Sequence, residues 1–111
     1  KIEEHRAPAP AVKPAVGLSR YADAALDAAC KAIRTAPQGQ QETTLNAECY
    51  SIGTLAGAHA VPQDYARAAL MWAAENMTSY DPRRPWRKIE ITEKVNHAFD
   101  DGLRNPRAVQ K

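Results

Sequence analysis

The chain has 111 residues, enough for one small domain, and its 15 Lys+Arg against 13 Asp+Glu leave a formal net charge of +2, too balanced for bulk charge alone to imply nucleic acid. Its 44% hydrophobic and 25% charged residues exclude a collagen, a disulfide-rich toxin and a wholly disordered chain, and no apolar run approaches the roughly 20 residues of a membrane span. The two cysteines, Cys30 and Cys49, make no disulfide framework and read as reduced thiols of a cytosolic, cytoplasmic protein.

Residue 1 is Lys, so the chain reads as a fragment or a processed product, and its polar start carries no signal-peptide pattern. Residues 1–17 hold Pro8, Pro10 and Pro14 among Ala, Val and Lys. Proline fixes its own φ and donates no hydrogen bond, so this stretch is expected to be an extended, semi-rigid linker. It is either the tether to a preceding domain or an untidy end. The remainder divides into a helical domain over 18–107 and a basic tail over 108–111.

A first helix is expected from an N-cap at Ser19, with Ala22, Leu26, Ala29 and Ile33 on its buried stripe. Ala36-Pro37-Gln38-Gly39 stops it. A second helix runs from about Gln41 to Ala58, with Leu45, Cys49, Ile52 and Ala56 at helical spacing and Leu55 beside them. Thr43 or Thr44 would cap its first turn. Gly53 and Gly57 form a G-x-x-x-G pair, and between polar flanks this predicts close approach of another helix rather than membrane dimerisation.

A third helix begins near Val61-Pro62-Gln63-Asp64, where Pro and Asp suit the first turn, and presents Ala66, Ala69, Leu70, Ala73 and Met77. It fails around Asn76. Tyr80-Asp81-Pro82-Arg83-Arg84-Pro85-Trp86-Arg87 then reads as a loop with an aromatic anchor towards each end. The fourth helix spans about Arg87 to Leu103, with Ile91, Val95, Phe99 and Leu103 four residues apart, and Asn105-Pro106 closes it. Four helical periods with no alternating strand pattern predict an all-α protein, a small four-helix bundle.

Twenty-two residues are alanine, leaving 25 larger apolar side chains to supply the burial. At about 1.5–3 kcal/mol for each one fully buried, they support one thin core but not an additional deep substrate cavity. The composition therefore leans away from a self-contained enzyme. Cys30, Cys49, His59 and His97 lack the close paired spacing of zinc ligands, so no metal or other cofactor is expected. No nucleophile elbow, P-loop or H-E-x-x-H motif is present. Asp100-Asp101 is a tempting carboxylate pair, but adjacent helix residues point about 100° apart and do not converge on one atom. Asp101 reaches back instead to His97 at i,i+4.

Charge is unevenly spread. Residues 77–111 hold 8 Lys+Arg against 5 Asp+Glu, whereas residues 1–76 hold 7 against 8. The cations Arg83, Arg84, Arg87, Lys88, Lys94, Arg104 and Arg107 therefore make a candidate phosphate-binding set, because guanidinium forks suit phosphate oxygens. Trp86 and Tyr80 would stack on unpaired bases. The competing reading is a solvated basic face with Trp86 packed into the bundle.

Further residues carry a resemblance. Ala36-Pro37-Gln38-Gly39, Thr44-Leu45-Asn46, Ile52-Gly53-Thr54-Leu55-Ala56-Gly57, Ala69-Leu70 with Ala73-Ala74, the Tyr80–Trp86 loop, Phe99-Asp100-Asp101-Gly102-Leu103 and Pro106-Arg107 follow one another along the chain. Over Tyr21 to Arg107 the sequence resembles the helical domain at the C-terminal end of phage- and plasmid-type primase or replication proteins. There it follows a catalytic region of the Toprim or primase–polymerase kind. That pattern carries an Arg-Asn pair shortly before the Leu-Asn; Gln41-Glu42 stands there instead, so no phosphate contact by this turn carries over and Asn46 is the remaining polar mark. The resemblance implies a DNA replication module without catalytic residues of its own, with Asn46, Gly53 and Gly57 as its motif positions. Its implied partners are single-stranded or template DNA and a primase catalytic domain or helicase, with no membrane. The alternative is a protein-interaction module whose small Ala/Gly surfaces on helices two and three receive a partner helix.

Overall fold

A computed structural model describes residues 20–77 and 86–107. It contains four helices in chain order: α1 (Arg20–Arg34), α2 (Gln41–Gly57), α3 (Gln63–Glu75) and α4 (Lys88–Leu103). No strand occurs among the described residues, and the fold is a small all-α four-helix bundle, as the periodicities predict. The linker over 1–17, the Ser19 cap, Tyr80, Arg83, Arg84 and the tail over 108–111 lie outside the described residues.

The alanine-rich stripe of α1 is buried as expected, at Ala22, Leu26, Ala29 and Ile33. The chain leaves α1 through a tight turn in which the Gln40 N–H donates to the Pro37 carbonyl at 2.9 Å. Gly39 takes φ +92°, a conformation that costs glycine nothing. That turn delivers the backbone directly into α2, so Thr44 N–H already donates to the Gln40 carbonyl at 2.9 Å. The expected Thr43 or Thr44 cap is therefore corrected: both threonines lie inside the helix, and Gln40 is the N-cap, with no side-chain capping bond.

Helix α2 packs against each of the other three. Its second half cannot be a one-sided stripe for that reason, and Ile52, Gly53, Thr54, Leu55 and Ala56 are buried in succession. It ends in a Schellman motif: Ala60 N–H donates to the Leu55 carbonyl at 2.9 Å and His59 N–H to Ala56 at 3.0 Å. His59 occupies the left-handed position of that motif, at φ 63°, where glycine is the usual residue.

Helices α2 and α4 share the most extensive interface and run parallel, with Glu42 beside Lys94 at one end and Gly57 against Leu103 at the other. The predicted close approach is real. A Cβ added to Gly53 would lie 3.0 Å from the Gly102 Cα, and one added to Gly102 would lie 2.8 Å from the Gly53 Cα. The small-residue face of α2 is thus covered by α4 of the same chain. A partner helix expected on Gly53 and Gly57 would find that surface already taken.

Helices α1 and α3 also run parallel, since Cys30 Sγ donates to the Ala69 carbonyl at 3.5 Å and the Arg34 guanidinium lies 5.4 Å from the Trp72 ring centre. Phe99, the single phenylalanine, is fully buried with Ile33, Leu45, Ile52, Leu55, Leu70 and Val95 in one continuous core. Arg67 ties α3 to α4: its guanidinium carbon sits 4.5 Å from the Phe99 ring centre, and its Nη1 reaches Asn96 Oδ1 at 2.7 Å and Asp100 Oδ1 at 3.1 Å. No described helix is long and apolar enough to cross a membrane.

Candidate nucleic-acid interface

The described cations of the second half divide between the two ends of α4. Sixteen residues at 1.5 Å rise separate those ends by about 24 Å. Trp86, Arg87, Lys88 and Lys94 gather at the start, and Arg104 and Arg107 stand at the finish. They do not form one continuous strip.

At the start, Arg87 is the N-cap of α4. Its backbone N–H donates to Glu90 Oε1 at 2.9 Å, half of a capping box. Its guanidinium stays solvated, with a side chain 77% exposed and Nε only 3.9 Å from Glu90 Oε2. Lys88 is exposed and makes no ion pair with another described residue. The first turn also carries Ile89, 58% exposed, on the side of α4 away from the core. The N–H groups of this turn and the aligned peptide dipoles add partial positive charge.

Trp86 is half-buried against the core. Lys94 Nζ lies 5.1 Å from the centre of its ring and 3.1 Å from Glu42 Oε2 across the helix boundary. One side of the indole therefore already faces a cation. The two readings of Trp86 left open by the sequence meet here, because the ring packs inward and keeps part of its surface outside.

At the far end of α4, Arg104 pairs with Asp101 one turn back. Arg107 is the most heavily bonded cation among the described residues of the chain's second half. Its backbone N–H donates to the Thr54 carbonyl at 3.0 Å. Its guanidinium donates to Thr54 Oγ1 at 3.1 Å, Tyr21 OH at 3.0 Å and the Ser51 carbonyl at 3.2 Å, and also to Ser51 Oγ. Each of its three guanidinium nitrogens thus donates to α1 or α2. Spacing could not reveal this, since the partners lie 53 to 86 residues away in sequence.

Asn46, the polar mark of the resemblance, is exposed on α2. It lines two adjoining concavities of about 550 and 330 Å3 between α2 and α4, and His97 lines both with it. Tyr50 and Asp101 line the larger, Glu42, Glu93 and Lys94 the smaller. Carboxylates outnumber cations across the two concavities, so their combined lining is net negative. Asp100 and Asp101 turn to different partners, Asp100 to Arg67 at 3.1 Å and Asp101 to Arg104 and, at 3.7 Å, His97 Nε2. They do not converge, as helix geometry predicts. Among the described residues no group of three His, Cys, Asp or Glu side chains is placed to hold a metal ion. Burial pushes both thiols up, Cys30 and Cys49 each to about 12.

Comparison with protein-family models, with curated proteins and with solved structures gave no match for this chain.

Proposed function

We propose that the chain is a non-catalytic helical accessory module of a mobile-element DNA primase or related replication protein, and that it holds single-stranded or template DNA at the start of α4. One observation carries this reading: Trp86, with Lys94 Nζ 5.1 Å from its ring centre, stands beside a helix N-terminus at which Arg87 and Lys88 are exposed. Solvated cations, a partly exposed indole and helix N–H groups suit a flexible phosphate chain with unpaired bases. Arg83 and Arg84 immediately precede this cluster in sequence and belong to the proposed contact. Arg107 is left out of it because its guanidinium is bonded to α1 and α2, and Arg104 because it stands beside Asp101 at the opposite end of α4. Catalytic residues would reside on a partner, a primase catalytic domain or helicase, and the reduced thiols fit a cytoplasmic setting.

The test is fluorescence anisotropy with labelled single strands at two salt concentrations. Each phosphate contact contributes about 0.7 to the logarithmic salt slope for a single strand. Three or four contacts therefore weaken binding by roughly tenfold or more between about 50 and 200 mM salt. Arg87→Ala with Lys88→Ala is expected to reduce that slope and lower affinity several-fold. Absence of affinity at low salt, or affinity unchanged in the double variant, refutes the proposal.

A further inference from the structure

The cations at the start of α4 are not equivalent. Arg87 and Lys88 project from the cap and first turn into solvent, whereas Lys94 is fixed between two groups from different parts of the chain. Its side chain is only 26% exposed, and its Nζ sits 3.1 Å from a carboxylate oxygen of Glu42, which is itself 59% exposed on the first turn of α2. An anion approaching Lys94 meets a nearly neutral pair, not a cation.

Glu90 does not stand in the same relation to Arg87. It is 3.9 Å from the guanidinium and spends its other oxygen on the backbone N–H of the cap. Removing Glu90 would disturb the start of the helix. Glu42 has no such capping bond, since the N-cap of α2 is Gln40 and makes no side-chain bond. The carboxylate of Glu42 thus neutralises Lys94 without being needed to form α2.

We propose that Glu42 is a built-in competitor for the anionic ligand at Lys94: a nucleic-acid phosphate must displace this carboxylate before it can use the Lys94 ammonium. The inference rests on the nucleic-acid reading above and adds a residue that limits affinity. An ion pair whose carboxylate partner is open to water is weak enough to be exchanged in this way, because water solvates that charge and salt screens it. The pair therefore sets a threshold on binding without closing the site.

Glu42→Gln keeps the shape and an acceptor oxygen while removing the charge. It is expected to raise affinity for a labelled single strand about fivefold at low salt, the upper range for an exposed pair. The salt slope should steepen by about 0.7, the value of one additional phosphate contact. Glu75→Gln makes the same change in net charge at the exposed end of α3 and serves as the control. Lys94→Met keeps the aliphatic stem over Trp86 and removes the ammonium, and in that background Glu42→Gln should give no gain. Circular dichroism of each variant verifies that the helices persist. The inference is overturned by wild-type binding that Glu42→Gln leaves unchanged, by an equal rise with Glu75→Gln, or by a gain that survives in Lys94→Met. Loss of binding in every chain, wild type included, overturns the nucleic-acid reading and this inference together.

Discussion

Single side chains in this bundle are governed by how far they are withdrawn from water. Cys30 and Cys49 are free thiols on α1 and α2, and both are held neutral chiefly by desolvation, with smaller contributions from nearby negative charge: Asp27 at Cys30, and Cys30 and Glu48 at Cys49. Each thiol moves from 9.0 to about 12 on folding. The sign of the linkage follows directly. Below pH 9 both folded and unfolded chains hold the thiol protons, and the contribution to stability is fully present. Between 9 and about 12 the unfolded chain loses protons that the folded chain retains, so stability falls as pH rises. The slope is at most about 1.4 kcal/mol per pH unit for each thiol. Urea unfolding under reducing conditions, at pH values below and above 9, should show the midpoint dropping. Cys30→Ala with Cys49→Ala should be less stable at neutral pH, from lost packing, yet fall less steeply in alkali. Parallel pH profiles for the two chains would disprove the assignment. The same burial keeps the thiols poor nucleophiles, because the thiolate is the reactive form.

At the level of elements, the decisive contact is the crossing of α2 and α4. Alanine is the better helix former by about 1 kcal/mol, so Gly53→Ala would stabilise an isolated α2. In the bundle its Cβ would collide with α4, 3.0 Å from the Gly102 Cα and closer still to the Phe99 carbonyl oxygen. Backbone cannot rotate away as a side-chain tip can, so the helices must separate along their largest shared face. Over-packing costs roughly 1–3 kcal/mol, and a clash with the backbone of a neighbouring helix belongs at the upper end of that range, which outweighs the propensity gain. Thermal unfolding followed by circular dichroism should show a fall in Tm of at least about 5 °C for this small domain. A rise would mean that the close approach does not govern stability. The sequence announced this contact because G-x-x-x-G is a short-range pattern, and the stripes Ala22–Ile33 and Ile91–Phe99 were legible for the same reason. What stayed hidden needed the third dimension. The burial of Thr54 depends on α2 being packed on several sides, and the N-cap at Gln40, in place of Thr43 or Thr44, depends on the hydrogen bond that closes residues 37–40. Neither is a property of one helical period.

Over the whole molecule, charge is distributed by tertiary structure in a way that counting cannot foresee. The excess of Lys and Arg after residue 77 was visible in the sequence, and so was the grouping of Arg87 and Lys88 with Trp86. The split of that excess into an open end and a bonded end was not, because the partners of Arg107 come from α1 and α2. Arg107 joins the exit of α4 to both of them through Tyr21, Ser51 and Thr54, and so closes the bundle at the end opposite to Trp86. Hydrogen bonds to a charged donor contribute about 1.5–3 kcal/mol, and truncation would leave acceptors on half-buried Ser51 and buried Thr54 short of a partner. Arg107→Ala should therefore lower stability by about 2 kcal/mol, a drop in Tm of roughly 10 °C at this size. Arg107→Lys should recover little, since an ammonium lacks the fork that serves three residues together. Arg87→Ala removes only a solvated head and should leave Tm nearly unchanged. If α4 meets nucleic acid at its first turn alone, affinity and salt slope respond in the reverse order: Arg87→Ala lowers both, and Arg107→Ala, measured well below its Tm, lowers neither. A Tm unmoved by Arg107→Ala, together with a weakened salt slope, would return Arg107 to the phosphate-binding set and extend the interface along the full length of α4.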